Sequence, residues 1–174
     1  MFHPLRYLVF WSKLLKNRVN EKFNPPNKVI QEIGIKPGNI VLDCGSSVSS
    51  YSLLEANIVG DEGIIFVADD EKLGRKKVRN YIYQNFKKNI ALIKSKFKSE
   101  LKNDSIDIAV IHFKVKLNEL DDVLSETHRV LKPGGVLALN GKNRKNIKLK
   151  EMMKNNSSFT FLQEGNSVLK YSKC

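Results

Sequence analysis

The sequence predicts an α/β fold: a mostly parallel sheet covered by helices on both faces and finished by a C-terminal antiparallel hairpin strand. Three observations carry this reading. Short apolar runs alternate with segments of helical periodicity from residue 27 onward. The runs are nearly continuous in Ile, Val, Leu and Ala, as strands buried on both faces are. The last two runs, 159–163 and 168–172, are separated by the turn signal Glu164-Gly165-Asn166.

Taken in order, residues 5–16 form an aromatic, basic segment in which Leu8, Trp11 and Leu15 recur at helical spacing beside Arg6, Lys13 and Lys16. It reads as a helix packed on the domain, as a mobile cover over a substrate pocket, or as a helix resting on a membrane surface. Pro25-Pro26 separates it from a short helix at 27–33 with Val29, Ile30 and Ile33 on one face, closed by Gly34. Residues 1–26 are therefore expected to be an N-terminal amphipathic helical segment, and 27–174 a single domain.

The first strand spans 40–43, followed by a helix over 49–57 with Leu53 and Leu54 inward. The turn Gly60-Asp61-Glu62-Gly63 leads into a second strand at 64–68, which ends at Asp69-Asp70. An amphipathic stretch over 74–88, with Val78, Ile82 and Phe86 four apart, precedes a third strand at 90–93. A fourth strand covers 106–113. Leu120, Val123, Leu124, Thr127, Val130 and Leu131 line one helix face, which Lys132-Pro133-Gly134-Gly135 terminates before a fifth strand at 136–139. A last helix near 147–154 leads to the hairpin.

A chain of 174 residues with 41% hydrophobic content suits one domain with a real core. The apolar run 7–11 is too short to span a membrane, and no small-residue cleavage site follows it, so a cytoplasmic protein is expected. Cys44 and Cys174 have no metal-ligand spacing, which predicts reduced thiols and no metal site. The net charge of +12 raises a nucleic-acid partner, because clustered cations gain affinity for phosphates by counterion release. The basic residues are nevertheless spread along the chain, as in a solvated surface.

Sheets of this kind bind ligands outside the carboxyl ends of their strands, where the strand order reverses. That rule gathers residues 43–49, Asp69-Asp70 and His112 around one crevice. Four stretches in this order resemble the class I S-adenosylmethionine-dependent methyltransferases, over about residues 27–172: Val41-Leu42-Asp43-Cys44-Gly45, Asp69 at the end of the second strand, residues 105–110, and residues 129–137. The resemblance implies a three-layer Rossmann-like methyltransferase sandwich with S-adenosylmethionine as cofactor. A dinucleotide-binding G-x-G-x-x-G reading fits less well, since Ser47 and Ser50 stand at its second and third glycines.

The same resemblance implies a cofactor site of Asp43, Gly45, Ser47, Ser49, Asp69, Asp70 and His112. Asp43 would orient the cofactor's amino group, and Gly45 would let the backbone turn beneath it. Asp69 would accept hydrogen bonds from the ribose diol, although Asp69 and Asp70 also suit the cap of the next helix. His112 would line the methyl-transfer pocket, and no catalytic base is identifiable. Ser47 and Ser49 replace expected glycines, so the glycine loop is degenerate, and Lys94 and Lys96 stand where related enzymes place an acid for adenine. Three readings follow: a methyltransferase acting on a small molecule, a methyltransferase-like binding or scaffold protein without turnover, and an RNA-directed methyltransferase.

Overall fold

The computed structural model describes residues 26–45, 50–68, 72–84, 87–93, 95, 98–112, 117–140 and 145–174. The N-terminal segment through residue 25 lies outside them, as do Phe86 and the loop serines. Helix α1 (Pro26–Ile33) leads to β1 (Ile40–Cys44), α2 (Ser50–Val59), β2 (Ile64–Ala68), α3 (Lys72–Gln84), β3 (Ile90–Ile93) and β4 (Ile106–Ile111). After a short 3-10 turn come α4 (Leu120–Val130), β5 (Leu131–Asn140), α5 (Ile147–Lys154), β6 (Phe159–Glu164) and β7 (Val168–Lys173).

Seven strands make one sheet in the order β3-β2-β1-β4-β5-β7-β6. The first five pair in parallel, and β7 enters antiparallel between β5 and β6. The expected α/β sandwich with its C-terminal hairpin is thus present. Alternation along the strands divides the core. Leu42, Cys44, Ala109 and Ile111 meet α4 and α5 on one face, while Val41, Ile108 and Val110 meet α1, α2 and α3 on the other.

Helices α1 and α4 bury the faces their periodicity predicts, with Val29, Ile30 and Ile33 in one core layer and Leu120, Val123, Leu124 and Val130 in the other. Helix α2 departs from expectation. Its fully buried face is Ser52, Glu55, Ala56 and Val59, whereas Leu53 and Leu54 are only partly buried. These positions share the i, i+3, i+4, i+7 spacing of one helix face, so an acid sits where an apolar residue was expected.

The 129–137 signature also differs in detail. Leu131 already pairs with Ile106, and the strand register shifts before Val136 pairs with the following residues of β4, so the turn lies within β5 rather than ahead of it. Gly135 is required there: a Cβ would stand 2.8 Å from the Lys132 carbonyl oxygen and 3.2 Å from that of Asp107. Asp107 accepts from the Ile40 N–H at 2.7 Å and from Lys132 Nζ at 2.6 Å. One carboxylate therefore ties together the entrances of β1, β4 and β5, at the end of the sheet opposite the crevice. These two motifs are architectural.

Candidate functional site

The strand order reverses between β1 and β4, which places their carboxyl ends side by side. Cys44 pairs with Ile111, and the His112 N–H donates to the Cys44 carbonyl at 2.9 Å. Beyond β1 the chain turns at Gly45, whose φ of +82° lies in the left-handed region that favours glycine. The Gly45 N–H donates to the Ala68 carbonyl at 3.0 Å and ties this turn to the end of β2.

Asp43 points to the α2 side of the sheet and is wholly buried. Its Oδ2 accepts the Ser52 hydroxyl at 2.5 Å. The His112 ring lies across the same space, with Nε2 3.5 Å from Glu55 Oε1 and 3.7 Å from Asp43 Oδ1. The other ring nitrogen, Nδ1, is 2.8 Å from the side-chain amide of Asn140 at the end of β5. The ring of Tyr51 packs against the imidazole with centroids 4.5 Å apart. Both imidazole nitrogens thus face protein groups.

Burial pushes the Glu55 carboxyl well above the usual carboxylate range, and the neighbouring charge of Asp43 adds to the shift. Burial alone would lower the His112 pKa, but Asp43 and Glu55 together outweigh it and raise it. Both directions express one fact: negative charge is concentrated in a space that water does not screen. Neither oxygen of Glu55 nor Nε2 of His112 has a hydrogen-bond partner among the described residues.

Of the residues singled out in the sequence, the structure brings Asp43, Gly45 and His112 together. Ser47, Ser49, Asp69 and Asp70 lie outside the described residues, as does Lys96. Reading the sequence missed Glu55, Ser52, Tyr51 and Asn140. The available signal for Glu55 was its place between Ser52, Ala56 and Val59 on one helical face, where an acid interrupts an otherwise small and apolar surface. Asn140 had no such signal, since only the pairing of β4 with β5 places it beside His112.

The geometry fits S-adenosylmethionine at the strand ends. A glycine takes the left-handed turn that ends β1, and a buried carboxylate, Asp43, stands two residues before it. Among the described residues no helix is long and apolar enough to cross a membrane.

The profile of the ubiE/COQ5 methyltransferase family matches residues 18–168. The chain is 29% identical over 114 residues to the ubiquinone/menaquinone biosynthesis C-methyltransferase UbiE of Marinomonas sp., covering 62% of this chain and 44% of that protein. It is also 29% identical over 117 residues to the demethylmenaquinone methyltransferase of Lysinibacillus sphaericus, covering 64% and 47%. The chain therefore spans about half the length of these curated relatives. A SAM-dependent methyltransferase from Aquifex aeolicus superposes with a TM-score of 0.75 at 21% identity, over 99% of this chain and 98% of that one. TrmN from Thermus thermophilus gives 0.70 at 17% identity, over 86% and 48%. The two structural likenesses bear on the fold alone. The two curated relatives are named for quinone chemistry, and they lend no support to the nucleic-acid partner suggested by charge.

Proposed function

The chain belongs to the ubiE/COQ5 methyltransferase family, and from that premise we propose that it is an S-adenosylmethionine-dependent methyltransferase acting on a small molecule, a quinone-type ring being the first acceptor to test. The cofactor is the one that the family and fold imply. The acceptor class follows the names of the relatives, which describe ubiquinone/menaquinone biosynthesis and demethylmenaquinone. The single observation that carries the reading is the left-handed Gly45 turn at the carboxyl end of β1, where the strand order reverses.

When bound, S-adenosylmethionine supplies a methyl group on a positively charged sulfur. In this proposal Gly45 gives the backbone its close approach, and Asp43 attracts the cofactor's ammonium group from beneath the loop. Asp69 and Asp70 hold the ribose hydroxyls, and Ser47 and Ser49 offer hydroxyls to the cofactor's carboxylate. His112 closes the floor between β1 and β4. Because both its nitrogens face protein groups, it positions the floor instead of taking a proton from the acceptor. Methyl transfer of this kind depends chiefly on in-line positioning, so it requires no dedicated base. Residues 1–26 are assigned as an amphipathic cover for the acceptor, and 27–174 as the methyltransferase-like domain.

Calorimetric titration with S-adenosylmethionine tests the cofactor, and mass spectrometry of a reduced demethylmenaquinone incubated with protein and cofactor tests the acceptor. Saturable cofactor binding and a product heavier by one methylene are expected. No binding to folded protein at millimolar cofactor would overturn the proposal. The second reading, a scaffold without turnover, is favoured by Ser47 and Ser49. It predicts that the double substitution Ser47→Gly/Ser49→Gly strongly increases cofactor binding, whereas an adapted site loses it.

A further inference from the structure

Asp43 and His112, which the proposed cofactor site uses, share a buried cluster with Glu55, a carboxylate to which that site gives no role. One carboxylate oxygen each from Asp43 and Glu55 and Nε2 of His112 lie within 4.8 Å of one another. Asp43 and Glu55 are fully buried, and the His112 side chain is 5% exposed. We propose that Asp43, Glu55 and His112 bind one divalent transition-metal ion, which joins β1, α2 and the end of β4.

The spacing favours an ion over direct pairing. Charge-assisted hydrogen bonds between these groups would draw them to about 2.7–2.9 Å. Donors held about 2.0–2.2 Å from a shared ion lie roughly 3–3.6 Å apart instead. Nε2 stands 3.5 Å from Glu55, within that range, and 3.7 Å from Asp43, just beyond it, and makes a hydrogen bond to neither.

Charge points the same way. No lysine or arginine among the described residues pairs with Glu55. A divalent ion on a neutral imidazole would meet the buried charge of Glu55, which an unpaired carboxylate otherwise carries at high cost. One nitrogen and two oxygen donors suit zinc, iron or manganese and disfavour the soft ions that thiolates select.

The outer groups are those a ligand set needs. The Ser52 hydroxyl fixes Asp43 through Oδ2, leaving Oδ1 toward the cluster. The Asn140 amide at 2.8 Å from Nδ1, turned so that its oxygen accepts from Nδ1–H, would hold the imidazole with Nε2 bare toward the ion. Burial of all three ligands makes this a structural ion. It does not depend on methyl transfer.

The test uses the chelator-treated full chain without cofactor, so its outcome is separate from the cofactor titration. Titration with Zn2+ should give one ion per chain and raise Tm by several degrees at saturation. Glu55→Gln and His112→Gln should each weaken binding by about 100-fold or more, while Cys174→Ser, which removes the exposed thiol, should leave it unchanged. Absence of saturable binding to folded protein, as expected if Glu55 simply takes up a proton, overturns the proposal. Equal binding by parent and both site variants overturns it too. Should the variants fail to fold, the absorption spectrum of the Co2+-loaded parent decides: ligand-field bands alone support the nitrogen and oxygen donors. A thiolate charge-transfer band would place the ion on a cysteine and refute the assignment.

Discussion

Replacing Glu126 with Gln should cost about 2 kcal/mol at pH 7, and the cost should fade in acid. Glu126 is 7% exposed on α4. Its carboxylate accepts from Arg129 Nε at 2.8 Å and Nη2 at 2.7 Å, and from the Ser99 N–H at 2.7 Å. The Arg129 guanidinium also reaches the Leu101 carbonyl at 2.8 Å, so this network pins the loop ahead of β4 to the helix before β5. The Arg129 contact, reinforced by Ser99, lowers the Glu126 pKa from 4.5 to about 2. At about 1.4 kcal/mol per pKa unit this corresponds to a ceiling near 3 kcal/mol. The Arg129 side chain is 36% exposed, and solvent screening reduces the expectation to about 2 kcal/mol.

The sign is that of a depressed acid. The stabilisation is complete above the unfolded-state pKa of about 4.5 and is lost as pH falls toward the folded-state value of about 2. Urea unfolding of parent and Glu126→Gln at pH 7, 4 and 3 checks this. The gap between them should fall to less than half its neutral value by about pH 3. A variant within about 0.5 kcal/mol of the parent at pH 7, or a gap that does not change with pH, would refute the reasoning.

Three further outcomes follow from backbone geometry and buried donors. Gly135→Ala should destabilise by about 1–3 kcal/mol, because its Cβ meets two backbone oxygens that cannot move aside. Gly134→Ala, at φ +73° with open space around it, should cost only about 1 kcal/mol; equal losses on chemical denaturation would contradict the steric account. Asp107→Ala should cost about 1–3 kcal/mol by orphaning the Ile40 N–H. Asp107→Asn should recover most of that, since the half-exposed Lys132 pair adds little, and a denaturant series that ranks them otherwise sinks the idea. Gly45→Ala should lower stability by about 1 kcal/mol and weaken S-adenosylmethionine binding; unchanged calorimetric affinity would remove Gly45 from the site.

The order of elements was legible because the parallel strands are apolar runs of the right length and α1 and α4 each have one apolar face. Val29, Ile30 and Ile33, and likewise Leu120, Val123, Leu124 and Val130, are buried where their periodicity puts them. The strand after the Lys132–Gly135 turn was legible for the same reason, although its pairing begins earlier, at Leu131. Helix α2 was legible only in part, since Leu53 and Leu54 do pack against the core but are only partly buried. Leu53 and Leu54 drew attention as the apolar pair, yet the helix turns Ser52 and Glu55 inward because Asp43 and His112 wait there. Hydrophobicity alone cannot foresee a buried acid whose partners lie on other strands.

By itself the sequence determined the class of fold, the turn at Gly45 and the position of Asp43 at the end of β1, since local propensity and the alternation of elements fix all three. Only the tertiary structure decided what faces Asp43. The parallel pairing of β1 with β4 and of β4 with β5 brings His112 and Asn140 to it, and the packing of α2 delivers Glu55. Sequence separations of 12 to 97 residues collapse into one cluster there, because strand register and helix rotation are set by the whole core and by no segment of it.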